Sequence, residues 1–96
     1  MTLKEIKAMF QVGQQWAGEN TYAPKASRPR EVVQLLSTQM VWKTPHADRS
    51  WMQFPKAAQV IEARDGFLKF KLFSDEENLK YRGPGAAQAT LTLVRQ

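Results

Sequence analysis

The sequence predicts a mainly β, α+β fold: five or six short strands, preceded by one short helix, curling into a small and strongly bent barrel. Three observations predict it. Segments rich in Val, Phe, Trp and Thr recur along the chain, each bounded by Gly, Pro or Asp, as strands are. Only the N-terminal stretch has clear helical spacing. At 96 residues the chain holds one domain, which at this size buries only about 60 to 65% of its unfolded surface. Many short strands then enclose a core better as a bent barrel than as two stacked sheets.

In "TLKEIKAMF" Thr2 and Glu5 form the S/T-x-x-E capping pattern, and Leu3, Ile6, Met9 and Phe10 line one helical face, which predicts a helix over 3–10 with Gly13 as its terminator. A short strand follows at 14–17. The next loop, "PKASRPR", is long and protruding, because Pro24 and Pro29 each hold the preceding residue extended. Residues 30–43, "REVVQLLSTQMVWK", are too long for one flat strand and predict a bent strand or hairpin. Both faces carry apolar residues, so burial on two sides or a bulge near "STQ" is expected. "RSWMQFP" pairs back across the turn "PHAD", and a helical turn is expected at 56–58.

Asp65-Gly66 predicts a type I′ hairpin, after which Leu68, Phe70 and Leu72 alternate with Lys69 and Lys71, one face buried and the other wet and positive. Residues 74–88 form a polar linker with acids at Asp75, Glu76 and Glu77 and a break at Gly83-Pro84-Gly85, and residues 89–95 close the chain as a strand. The domain reading is therefore one unit over 1–96, with the barrel core at 12–73.

Composition narrows the function classes. The absence of cysteine excludes disulfide frameworks, zinc knuckles and thiol nucleophiles. The single His46, in the turn-like "TPHADRS", cannot build a histidine-rich metal site. The N-terminus lacks the apolar core of a signal peptide, and no apolar run approaches the roughly 20 residues that cross a bilayer, so the expected location is the cytoplasm with no membrane partner. Fourteen Lys and Arg against nine Asp and Glu give a net charge of +5, which favours an anionic partner.

A catalytic site needs a nucleophile with a base, paired carboxylates in a pocket, or a metal cluster, and none has recognisable spacing. Asp75, Glu76 and Glu77 are adjacent, whereas hard-cation loops space their ligands. No glycine-rich phosphate loop is present, since Gly83-Pro84-Gly85 lacks the following Lys. The expectation is a non-enzymatic binding module with no metal and no cofactor. Its expected partner is nucleic acid, held by Lys25, Arg28 and Arg30 on the loop, Lys69 and Lys71 on the wet strand face, and Tyr22 and Trp42 as stacking rings. The alternative is a protein partner, for an adaptor or an inhibitor of a host enzyme docking through Trp51, Met52 and Phe54.

The order "VGQQW", long loop, "REVVQLL", "MVWKT", turn, "RSWMQFPKAA", "QVIEA" resembles the layout of SH3-like small barrels over residues 12–63. The resemblance is architectural and implies a barrel with a variable loop and a short helical turn before the last strand. Small accessory proteins of phages and mobile elements share this layout. "MQFPKAA" is similar in character to the strand and proline turn of plasmid-borne type II dihydrofolate reductases, whose active-site strand reads Val-Gln-Ile-Tyr. Here Trp51-Met52-Gln53-Phe54 lacks the tyrosine, so that activity is not carried over.

Overall fold

A computed structural model describes residues 2–24 and 29–96. The chain order is α1 (Leu3–Ala8), β1 (Gln15–Asn20), β2 (Pro29–Leu35), β3 (Gln39–Thr44), β4 (Ala47–Gln53), a 3-10 turn (Ala57–Gln59), β5 (Val60–Arg64), β6 (Phe67–Lys71), α2 (Asp75–Arg82) and β7 (Thr90–Arg95). All the strands join one antiparallel sheet in the order β4-β3-β2-β1-β7-β6-β5. It has seven strands; the run at 30–43 divides into β2 and β3, and the Asp65-Gly66 hairpin supplies both β5 and β6. Among the described residues no helix is long and apolar enough to cross a membrane.

The sheet is not closed, yet it must curl. Strands β4 and β5 are its opposite edges, and only residues 54–59 connect them. Seven flat strands would set the edges about 29 Å apart at roughly 4.8 Å per step. The connection spans at most about 25 Å even fully extended, and half of it is wound into the 3-10 turn. The edges therefore approach each other without pairing.

The inner face of the curl carries the core: Trp16, Val32, Met40, Trp42, Leu68, Phe70, Leu91 and Leu93 are all buried. One end is filled by the N-terminal segment. The capping box of α1 forms as the sequence predicts, with Glu5 N–H donating to Thr2 Oγ1 at 3.2 Å and Thr2 N–H donating to Glu5 Oε1 at 3.1 Å. Ile6 and Phe10 are delivered into the core. The Phe10 ring lies 4.7 Å from Trp16, 5.9 Å edge-on from Trp42 and 6.2 Å from Phe54, the spacing at which aromatic pairs attract. The helix is shorter than 3–10, and Gly13, at φ 95°, serves the turn into β1 instead of capping α1.

Three further expectations are corrected. Residues "STQ" lie at the β2–β3 turn, closed by Leu36 N–H to Gln39 O at 2.8 Å, and the bulge falls between Val32 and Gln34. Val41 turns outward and is still buried, opposite Gln34 on one side and Trp51 on the other. At the β5–β6 hairpin only Gly66 takes positive φ, 74°, and no non-glycine among the described residues does, so the turn is not type I′. Arg95 clasps it, donating to both carboxylate oxygens of Asp65 at 2.9 and 3.0 Å, which holds that carboxyl below its usual range.

The third correction concerns the polar linker, which contains a helix. Ser74 caps α2 through a second capping box, with Glu77 N–H to Ser74 Oγ and Ser74 N–H to Glu77 Oε1, both at 3.1 Å. Asp75, Glu76 and Glu77 fill its first turn, where carboxylates favour the helix dipole. Gly83, at φ 89°, ends it. Asn78 is buried and fastens α2 to the segment that leads into β7: its Nδ2 donates to Ala86 O, and its Oδ1 accepts from Ala89 N–H, each at 3.4 Å. The closing strand β7 lies inside the sheet, between β1 and β6.

Candidate nucleic-acid interface

Asn20, the last residue of β1, sets the exit of the long loop. Its Oδ1 accepts hydrogen bonds from the N–H groups of Tyr22 and Ala23, both at 2.9 Å, an Asx turn that swings the chain away from the sheet. Thr21 is pinned between them and β7: its N–H donates to Thr90 O at 3.0 Å, and Thr90 N–H donates to Thr21 Oγ1 at 2.8 Å. Tyr22 therefore leaves a fixed base.

Its ring meets Phe73 edge-on at 5.0 Å, and Phe73 meets Tyr81 of α2 at 5.6 Å. The row of three rings thus joins the β1–β2 loop, the β6–α2 connection and α2. Tyr22 and Tyr81 are 51% and 57% exposed. Cations lie over both: the Arg82 guanidinium 5.7 Å above Tyr22, and Lys80 Nζ 5.6 Å above Tyr81. Arg82 also donates to Ala87 O at 2.7 Å, which orients it. Exposed rings flanked by cations, on a rigid base, are what single strands stack against.

The residues singled out from the sequence are placed unequally. Tyr22 is in the row. Lys25 and Arg28 lie outside the described residues. Arg30 points to the inner face of the sheet, over the Trp42 ring at 5.6 Å. Trp42 is 1% exposed and offers no ring to an outside ligand, since the inner face of β3 buries it. Lys69 and Lys71 are half-buried on β6, Lys69 opposite Glu62 and Lys71 within 3.1 Å of Asp75, so acids already face both charges. Of the alternative docking residues, Phe54 is 6% exposed in the core and Met52 packs against it; only Trp51, 55% exposed, faces outward. Arg49 lies over the Trp51 ring at 5.4 Å and donates to Gln34 Oε1 at 2.6 Å.

Phe73, Tyr81, Lys80 and Arg82 were not legible as site residues, because the stretch that holds three of them reads as linker. The signal was the Ser74-x-x-Glu77 pattern. A helix there sets Tyr81 and its flanking cations on one body instead of along a loose chain. Among the described residues no group of three His, Asp or Glu comes together as a metal site. No family model, no curated protein and no solved structure matches the chain.

Proposed function

We propose that this protein is a small binding module that holds single-stranded nucleic acid on the Tyr22–Phe73–Tyr81 row. The observation that carries the reading is the pair of exposed tyrosines, each under a cation, bridged by a third ring. Stacking contributes about 1 to 3 kcal/mol per base and tolerates any base, so the row favours an unpaired strand without reading its sequence. The net charge of +5, to which Lys25 and Arg28 contribute, supplies attraction to the backbone. The curled sheet serves as SH3-like barrels serve, as a stiff support for loops, and no catalytic step is assigned to it.

Fluorescence anisotropy with labelled single- and double-stranded DNA and RNA at two salt concentrations tests this. Single strands should bind more tightly than duplexes, with affinity falling steeply as salt rises, and Tyr22→Ala with Tyr81→Ala should weaken binding about tenfold or more. Equal affinity for duplex, or a double variant that binds as the parent does, would overturn the row as the site. The protein-partner reading keeps one supporting observation, the exposed Trp51 on edge strand β4. Salt-independent capture of a protein lost on Trp51→Ala would favour it.

A further inference from the structure

We propose that the open end of the curled sheet is a cleft for a small organic anion, a carboxylate or phosphate ester with an apolar body, gripped by Arg30. This site is separate from the tyrosine row, lies inside the curl, and stands or falls without it.

The sequence places an arginine where the fold calls for a core residue. Arg30 on β2 sits directly opposite Trp16 on β1, and opposite residues of an antiparallel pair share a face. Trp16 is fully buried in the core, so Arg30 also faces inward. The next inward position on β1 is Gly18, and the guanidinium lies across it. A Cβ at Gly18 would come within 2.9 Å of Arg30 Nη2 and 3.1 Å of its Cζ and Nε. On its other side Arg30 lies over Trp42. A glycine that leaves room and an indole ring beneath fix the direction of the planar fork, which matches carboxylate and phosphate oxygens in a way that an ammonium does not.

The space around this fork is a cleft of about 460 Å³, within the range of roughly 300 to 1,000 Å³ that small-molecule sites occupy. Met52, Leu72 and Leu91 give it apolar walls from both halves of the curl, and Asn20, Thr44, His46 and Ser50 add polar groups. Among the described residues none that lines it is acidic, so its charge is positive. An apolar pocket with a few convergent polar groups and one permanent cation suits an amphiphilic anion, and barrel mouths are a common place for such sites.

The test begins with 1-anilinonaphthalene-8-sulfonate, an aromatic anion that fluoresces when bound, displaced in turn by octanoate, octyl phosphate and octanol. A single saturable site should appear in cooperatively folded protein, displaced by octanoate or octyl phosphate at least about tenfold more effectively than by octanol. Whichever anion displaces better identifies the headgroup. Arg30→Met should erase that preference, and Ser50→Phe should block the cleft to all of them. Displacement by octanol equal to that by the anions would overturn the proposal, as would a Ser50→Phe protein that binds normally. Should Arg30→Met lower the melting temperature, amide shift mapping on the wild-type protein decides instead. Octanoate-induced shifts must centre on Asn20, Ser50, Leu72 and Leu91, and shifts centred elsewhere refute the site.

Discussion

At one end of the curled sheet Phe10 packs against Trp16, Trp42 and Phe54; at the other, Arg30, Asn20 and Ser50 line a cleft. The same strands build both ends. Along β1 the inward residues pass from Trp16 to Gly18 to Asn20, from the largest side chain to none and then to a polar one. Along β2 they pass from Val32 back to Arg30. A small domain has little core to spare, and this one gathers four rings, Phe10, Trp16, Trp42 and Phe54, into one cluster. That leaves the far end free to hold groups that contribute little to folding and are suited to binding.

The largest expected effect tests that division. Phe10→Ala removes the ring that contacts the other three, and a buried Phe→Ala change costs about 3 to 5 kcal/mol, a large part of the stability of a domain this size. Leu72→Ala, on the wall of the cleft and half-buried, should cost clearly less. Urea unfolding of the two variants measures the difference, and equal midpoints would mean that the two ends share the load.

A smaller effect separates the two proposed sites. Ser74→Ala removes the cap of α2, typically worth about 1 kcal/mol, and loosens the helix that carries Tyr81 and Arg82. Binding of a single-stranded oligonucleotide should weaken while displacement of the sulfonate probe from the cleft stays as in the parent. Loss of both together would show that α2 supports the whole sheet and not the tyrosine row alone.

The strands were legible because their signals are local. Alternation in "FLKFKLF", the glycine of Asp65-Gly66 and the Thr2-x-x-Glu5 box each act within a few residues, and each falls on the element it predicts. The sheet order was not legible, since pairing β7 with β1 joins Gly18 to Leu93 across most of the chain. The burial of Trp42 and Phe54 depends on that pairing, so rings that looked available for stacking or docking turned out to be core. Helix α2 was missed for a different reason. It has no apolar stripe, because Leu79 and Tyr81 are exposed and its buried residue is Asn78, so hydrophobic periodicity had nothing to detect and only the cap announced it.

The smallest effect is electrostatic, and it belongs to the filled end and the two helix caps. Arg95 holds the Asp65 carboxyl below its ordinary range, and the cap N–H groups of Thr2 and Ser74 do the same for Glu5 and Glu77. A carboxylate whose pKa is lower folded than unfolded adds stability above its unfolded pKa and loses it as pH falls through the folded value. The melting temperature should therefore hold through neutral pH and decline once the pH drops below the ordinary carboxylate range near 4. Asp65→Asn should remove part of that decline while lowering the plateau slightly, since the exposed pair contributes little at neutral pH. Arg30 is charged throughout this window and the sulfonate probe stays ionised, so at pH 5, where the fold is intact, the cleft, which His46 also lines, should hold that probe at least as tightly as at pH 7. A loss of the probe at pH 5 that precedes unfolding would place a titrating group of the protein in the cleft's grip on the anion.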